Sequence, residues 1–197
     1  MNIAIFGGSF NPVHRGHYEI VRHVNSQMKF HKIFVVPAYR NPFKENLPSI
    51  PESVRVMMLR KTFSEFSNVE ICLYELNKQK TSYTFATLEH LKKQYSNHQF
   101  FLILGEDAFT SFHLWTKADK IAEICNLLVF SRPAMPTSGK SQSDNQGHLA
   151  TNVHWMSKNI PDISATEIRN SPIKTVKEQS WLHPEAEIIW EQSQMNH

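Results

Sequence analysis

Short apolar runs alternate along the chain with segments whose apolar residues recur at helical spacing. The runs predict strands at 3–6, 32–37, 69–74, 99–104, 126–131 and, as a last short strand, 153–155. The spacing predicts helices over 17–28, 49–66, 83–95 and 117–124, with further helices from 164 onward. Continuous apolar runs are typical of strands that are covered on both faces. Strands alternating with helices favour an α/β fold, in which right-handed crossovers join a mainly parallel sheet.

Two helix starts show the pattern of a capping box, in which a serine is followed three residues later by a glutamate. Ser49 with Glu52 fits this pattern, and so does Ser164 with Glu167. The serine side chain then accepts a bond from the helix backbone, and the glutamate reaches back to the cap. We therefore expect a helix to begin at each serine. Pro184 predicts that the last helix begins near that residue.

A length of 197 residues predicts a single domain with a substantial core. Residues 133–152 are poor in large apolar residues and rich in Ser, Gln, Asn and Gly, a composition typical of a flexible surface loop. We accordingly divide the domain into a core over 1–132, this loop, and a region over 153–197 that holds the last strand and the C-terminal helices.

Composition and charge narrow the class of protein. The formal charge of +3 is compatible with a phosphate-bearing ligand, but it is too small for a nucleic-acid-binding surface. No apolar run approaches the roughly 20 residues that cross a bilayer. The chain also starts without the basic and apolar regions of a signal peptide, so we predict a cytoplasmic protein without membrane contact.

Cys72 and Cys125 lack zinc-site spacing, and we expect both to be reduced core residues.

The segment from Ile3 to His17, "IAIFGGSFNPVHRGH", places glycines and two histidines between the first strand and the first helix. Glycines let the backbone turn sharply and let a ligand approach closely. A helix N-terminus presents unpaired N–H groups and a partial positive charge, which suits a phosphate. His14 and His17 are three residues apart, so both can lie on one face and converge on that phosphate.

Three other interpretations of this segment compete with a phosphate site. A zinc pair needs further ligands, and no third ligand of the expected kind is nearby. A Walker-type loop is excluded because the G-K-[ST] ending is missing. An unrelated turn is the default for a lone glycine-rich stretch, but the full string is more constrained than such a turn requires.

The string "GGSFNPVHRGH" resembles the GxFxPxHxGH signature of the HxGH nucleotidyltransferases. A second string, "ISATEIR" at 163–169, resembles their ISxTxIR signature. The blocks "TSYTF" (81–85), "LGEDAFTSFHLW" (104–115), "VFSRP" (129–133) and "WLHPEAEIIW" (181–190) resemble those of bacterial nicotinate mononucleotide adenylyltransferases. The resemblance covers nearly the whole chain apart from 134–152. It implies a Rossmann-like, mainly parallel sheet with helices on both faces and a small C-terminal helical region.

The resemblance also implies an activity, the transfer of the adenylyl group of ATP to nicotinate mononucleotide with release of pyrophosphate. Mg²⁺ is expected to arrive with ATP and to be held by phosphates and water, without a protein metal site. A homo-oligomer is compatible with the sequence. Nicotinamide mononucleotide and other phosphomonoesters are alternative acceptors, and a non-catalytic nucleotide-binding regulator is an alternative from another class.

The residues that match the family's motifs form three predicted sets. The catalytic set is His14, His17 and Arg169. The ATP-binding set is Gly8, Ser9, Phe10, Gly16, Lys44, Gly105, Asp107, Ser164 and Thr166. The mononucleotide-binding set is Tyr83, Thr84, Trp115 and Arg132, with Trp115 as the platform for the pyridine ring. The chain departs from the family at Phe43, where a histidine is usual, and we expect Phe43 to pack over the site.

Overall fold

The computed structural model describes residues 1–40, 42, 50–131, 152–156 and 160–195. Its sheet has six strands: β1 (Asn2–Gly8), β2 (Lys32–Pro37), β3 (Val69–Ile71), β4 (Gln99–Gly105), β5 (Cys125–Phe130) and β6 (Val153–Met156). Their order is β3-β2-β1-β4-β5-β6, and every neighbouring pair is parallel. The α/β fold and all six predicted strands are confirmed.

Helices connect these strands and follow the last one. They are α1 (Arg15–Gln27), α2 (Glu52–Thr62), α3 (Tyr74–Lys78), α4 (Thr84–Gln94), α5 (Glu106–Thr110), α6 (Ala118–Ile124), α7 (Ala165–Asn170), α8 (Ile173–Glu178) and α9 (Pro184–Met195). A 3₁₀ turn at Phe112–Leu114 lies between α5 and α6. The last helix begins at Pro184, as predicted.

Alternate residues of each central strand enter two different hydrophobic cores. In β1, Ala4 and Phe6 belong to the core that α1, α2 and the C-terminal helices cover. Ile3 and Ile5 belong to the core on the other face, beneath α4 and α6. This alternation follows from the two-residue period of a strand, and it confirms helices on both faces of the sheet.

The chain reverses its direction of travel across the sheet between β1 and β4. From β1 it moves outward through β2 to β3, and it then returns to place β4 on the other side of β1. Such a reversal opens a crevice beyond the carboxyl ends of the two strands, because the loops that leave them diverge. Gly8 ends β1 and Gly105 ends β4, so residues of the predicted site stand at this crevice.

Several predicted boundaries are wrong. The helix predicted over 49–66 is α2, which begins at Glu52 after Pro51 as its N-cap, so Glu52 cannot close a capping box with Ser49. The strand predicted over 69–74 ends at Ile71. Ser164 does precede α7, but its side chain makes no capping hydrogen bond, so the second capping box is not formed either.

The structure bears on two further expectations. Both cysteines are free thiols, with Cys125 buried and Cys72 half-buried; burial raises the pKa of Cys125 to about 12. No helix within the described ranges is long and apolar enough to cross a membrane. The predicted loop at 133–152 lies outside the described residues except for Asn152.

Candidate active site

The rings of the two histidines of the opening motif contact each other at the start of α1, with an interplanar angle of 36°. His14 is the N-cap of the helix, and its backbone N–H donates to Nδ1 of His17 at 3.2 Å. Their ring centroids are 3.7 Å apart. A backbone amide can only donate, so Nδ1 of His17 must be an acceptor, and a neutral ring then carries its proton on Nε2. The ring of His17 can therefore donate a hydrogen bond from its Nε2 N–H.

Gly16 and Gly8 are required by close packing around this pair. A Cβ on Gly16 would lie 3.1 Å from the His14 ring and 3.2 Å from the carbonyl oxygen of Pro161. A Cβ on Gly8 would lie 3.1 Å from the ring of Phe10. The glycines of the motif therefore let the loop, the histidines and the segment before α7 approach one another.

Phe10, a member of the predicted ATP-binding set, packs its side chain against His17. Its ring is buried, with its centroid 4.9 Å from that of His17 and 5.5 Å from that of Phe6. Its φ of 43° lies in the left-handed region. A non-glycine residue keeps this conformation only where its surroundings enforce it, so the loop between β1 and α1 is tightly constrained.

Arg169 joins the two motifs across 158 positions of sequence. Its Nη1 donates to the backbone carbonyl oxygens of Asn11 and Ala165, and its Nη2 donates to Oγ1 of Thr166 at 3.1 Å. Partial burial lowers the pKa of Arg169. Both Nη1 protons are donated to carbonyl oxygens. Nη2 donates one of its two protons to Thr166, so its other N–H can bind a ligand.

The segments on either side of Arg169 complete this junction. Ser164 and Thr166 are exposed at the start of α7, so their hydroxyls face the solvent-accessible side of the site. Trp181, from the segment before α9, accepts the backbone N–H of Arg15 at 2.8 Å. The C-terminal region therefore closes onto the first turn of α1.

The end of β4 supplies the opposite side of the crevice. Gly105 is the N-cap of α5, and a Cβ placed on it would meet nothing within 4 Å. Asp107 is exposed in the first turn of α5. Asp107 is therefore accessible to a ligand in the crevice, as its place in the predicted ATP-binding set requires.

The mononucleotide set divides between α4 and the segment before α6. Tyr83 is the exposed N-cap of α4, and Thr84 is its first residue. Lys117 places its ammonium 4.2 Å from the ring centroid of Phe85, which brings the start of α4 next to the 115–117 segment. Trp115 is half-buried against Phe112, with ring centroids 5.5 Å apart.

Comparison with known proteins identifies the family. The sequence model of the cytidylyltransferase-like family matches residues 5–171. A relative from Nitratiruptor, by its name a nicotinate-nucleotide adenylyltransferase, is 34% identical over 88% of this chain and 90% of its own length. Another of that name, from Clostridium tetani, is 32% identical over 92% of each chain. This chain belongs to the nicotinate-nucleotide adenylyltransferase family.

Solved structures show the same fold. The nicotinic acid mononucleotide adenylyltransferase of Plasmodium falciparum, solved in complex with NaAD, superposes with a TM-score of 0.74. The superposition covers 97% of this chain and 95% of the other at 18% identity. At that identity the likeness concerns the fold, and it confirms the predicted Rossmann-like class.

The buried carboxyl of Glu75 is a feature of this family member that the prediction missed. Glu75 in α3 accepts Oγ1 of Thr87 at 2.6 Å and a hydrogen bond from Ser82. The Ser82 hydroxyl in turn accepts the backbone N–H of Tyr39 at 2.9 Å. Burial is the main cause that raises the pKa of Glu75, and the two hydroxyl donors oppose it. This network links the segment that follows β2 to the segment that precedes α4.

Arg55 is a second missed residue. It lies in α2 and is only 3% exposed, and its Nη1 donates to the carbonyl oxygens of Ser9 at 2.8 Å and Ala38 at 2.9 Å. One feature of the sequence could have revealed Arg55. Arg55 shares its helical spacing with the buried Met58, Leu59 and Thr62, so an arginine occupies a core-facing stripe.

Three predicted residues lie outside the described residues: Phe43, Lys44 and Arg132. Among the residues that the structure does describe, no group of three or more His, Cys, Asp or Glu side chains could hold a metal ion.

Proposed function

We propose that this chain transfers the adenylyl group of ATP to nicotinate mononucleotide, giving deamido-NAD and pyrophosphate. The observation that carries the proposal is the bond from the Arg169 guanidinium to the carbonyl of Asn11, which sets the start of α7 beside the start of α1. This bond joins the two motifs and their helix N-termini beside the loop that follows β1, which supports a shared phosphate site there. Membership of the nicotinate-nucleotide adenylyltransferase family supports the same reaction.

The reaction is an in-line displacement at phosphorus. A phosphate oxygen of the mononucleotide bonds to the α-phosphorus of ATP, and the bond from that phosphorus to the bridging oxygen of the β-phosphate breaks. The electron pair leaves with pyrophosphate. The nucleophile is already an anion, so no side chain has to remove a proton first. The protein contributes position and charge stabilisation.

His17 is the proposed donor to the phosphate at the reaction centre. The amide of His14 occupies Nδ1 of His17, so Nε2 carries the N–H that can meet a phosphate oxygen. Negative charge grows on the phosphate oxygens during transfer, and a donor held in place stabilises that charge without reorganising. His14, whose ring packs against that of His17, is proposed to assist from the same helix start.

The second motif is proposed to hold the leaving pyrophosphate. Arg169 is fixed by its two carbonyl acceptors, and its Nη2 can turn an N–H toward a phosphate oxygen. The exposed hydroxyls of Ser164 and Thr166 can donate beside it. A guanidinium suits this task because it stays charged even where burial lowers its pKa.

The acceptor is proposed to bind at the start of α4. Nicotinate carries a carboxylate, and the first turn of α4 offers backbone N–H groups near Thr84. Lys117 adds a positive charge beside that turn, since its ammonium lies over Phe85. Trp115 is proposed as the aromatic face for the pyridine ring. This arrangement favours the carboxylate of nicotinate over the neutral amide of nicotinamide.

ATP is proposed to bind as its Mg²⁺ complex. Mg²⁺ retains several waters and commonly reaches an active site on substrate phosphates. The donor set at the crevice fits this mode because it consists mostly of histidine, arginine, hydroxyl and amide donors, which suit phosphate oxygens. The ion would therefore arrive as part of the substrate.

Product analysis tests the proposal. The purified chain is incubated with ATP, Mg²⁺ and nicotinate mononucleotide, and the products are separated and weighed by mass spectrometry. We expect deamido-NAD and pyrophosphate in equal amounts. ATP bound without any dinucleotide product would contradict the proposal and favour a nucleotide-binding regulator.

A further inference from the structure

The buried guanidinium of Arg55 lies directly beneath the loop that carries the opening motif. Arg55 is 3% exposed, and in the described part of the chain its Nε has no hydrogen-bond partner. Burial lowers the pKa of Arg55, and the charge of Glu52 on the same helix opposes this only in part. Burying an unpaired charge is costly, since the charge gives up its hydration. A neutral core residue would avoid this cost, so stability alone does not explain an arginine here.

The two contacts of Arg55 both fall on loops of the active site. Nη1 donates to the carbonyl of Ser9, which follows β1, and to the carbonyl of Ala38, which follows β2. The same two loops are already joined by the backbone bond from Ala38 N–H to the Gly8 carbonyl, at 2.9 Å. Arg55 therefore fixes the point at which the phosphate loop leaves the sheet.

The loop needs such an anchor because its next residue is strained. Phe10 follows Ser9 with a φ of 43°, a left-handed conformation that is unfavourable for a non-glycine residue. The peptide between the two residues has its carbonyl held by Arg55, which limits the rotation that would relieve this strain. The Phe10 ring then lies against the ring of His17, with centroids 4.9 Å apart.

We propose that Arg55 is a positioning residue for the adenylyl transfer, acting on His17 through the Ser9 carbonyl and the Phe10 ring. The inference rests on the proposed function. It assigns Arg55 no contact with substrate. Its action is to keep Nε2 of His17 aimed at the phosphate. Its link to the start of α4 is indirect and runs from the Ala38 carbonyl through Tyr39 to Ser82.

Arg55→Met tests this role, with Arg60→Met as the matched control because Arg60 is exposed on the same helix. For folded Arg55→Met we expect kcat to fall about 10- to 100-fold, since small misplacements of reacting groups have effects of this size. The KM for the mononucleotide should change less than kcat, because Arg55 reaches the start of α4 only indirectly, through Ala38, Tyr39 and Ser82. Arg60→Met should keep both values. Wild-type kcat in folded Arg55→Met would overturn the inference.

An activity-independent readout separates positioning from general destabilisation. Nitrogen-15 NMR of the histidine rings reports which ring nitrogen carries the proton. In the wild type we expect His17 to be protonated at Nε2, because the His14 amide occupies Nδ1. In Arg55→Met we expect a mixture of the two tautomers. An unchanged His17 signal would overturn the inference, even if kcat falls.

Arg55→Lys keeps the inference testable if Arg55→Met does not fold. The lysine side chain ends one bond short of the Nη1 position, so its ammonium reaches the two carbonyls poorly. We expect an intermediate kcat and a partial change in the His17 signal. Wild-type kcat in Arg55→Lys would contradict the inference.

Failure of the proposed function gives a different result. The wild type would then form no dinucleotide, whereas the NMR comparison of wild type and Arg55→Met could still be made.

Discussion

His17 depends on a backbone amide for its orientation. The N–H of His14 holds Nδ1 of His17, and the rings of Phe10 and His14 pack against its sides. In many hydrolases a carboxylate orients the catalytic histidine and stabilises its protonated form. Adenylyl transfer needs no general base, because the attacking phosphate is already ionised. A neutral histidine that donates from Nε2 is sufficient for this chemistry.

His17→Ala tests this assignment at the level of one side chain. We expect kcat to fall about 10²- to 10³-fold, because a fixed donor to the developing charge is lost. The melting temperature should change little. His31→Ala is the control, since His31 is exposed just before β2, at the opposite end of the sheet. Pyrophosphate release measures the effect, and wild-type turnover in folded His17→Ala would refute the mechanism.

Gly16→Ala tests the packing beneath the histidine pair. The new Cβ would press on the His14 ring and on the carbonyl oxygen of Pro161, and the backbone atom cannot easily yield. We expect a loss of about 1–3 kcal/mol in the free energy of unfolding, as for other overpacked sites, together with lower kcat. Gly7→Ala is the stability control, because its Cβ would meet nothing within 4 Å. Equal melting temperatures for the two variants would contradict this reading.

The short helix α3 is the element that carries the buried Glu75 network. Because burial raises the pKa of Glu75, the folded protein holds its proton more tightly than the unfolded chain does. Stability from this group is therefore complete at acid pH, below about pH 4, where an exposed glutamate is protonated. It declines as the pH rises through the raised pKa.

Glu75→Gln tests this linkage. The amide does not ionise, so we expect a flatter dependence of the melting temperature on pH than in the wild type. Glu89→Gln on α4 is the control, because Glu89 is exposed and its substitution should preserve the wild-type slope. Thermal melts from pH 4 to pH 8 give the comparison. Identical slopes for Glu75→Gln and the wild type would show that Glu75 does not contribute in this way.

Strands and most helices could be predicted because buried parallel strands leave continuous apolar runs in the sequence. α3 was missed since five residues are too few to show a helical period, and the adjoining apolar residues extended the predicted third strand to 74. The two predicted capping boxes are absent because of the local structure at each helix start. Pro51 takes the N-cap of α2, and the Ser164 side chain makes no bond to α7.

The site was predictable only where it is encoded in contiguous motifs. "GGSFNPVHRGH" and "ISATEIR" mark the two helix starts that the fold brings together. The supporting residues are scattered: Arg55 reaches Ser9 from 46 positions away, and Glu75 reaches Thr87 from 12. Such pairings arise from tertiary packing, so the residues near them in sequence do not predict them. The one exception is the position of Arg55 on the core-facing side of α2.

The whole molecule places three distant segments at one edge of a parallel sheet. The opening motif leaves β1, the 105–115 segment leaves β4, and the second motif begins α7. The proposed catalytic groups lie on the first and last of these segments, whereas the proposed acceptor groups lie on α4 and the middle segment.

The choice between two acceptors is the sharpest test of the proposed reaction. Pyrophosphate release is measured with ATP, Mg²⁺ and either nicotinate or nicotinamide mononucleotide, and kcat/KM is determined for each. We predict a clear preference for nicotinate mononucleotide, because its carboxylate meets the N-terminus of α4 and the ammonium of Lys117. Equal or better turnover of nicotinamide mononucleotide, or no turnover of either, would contradict the account.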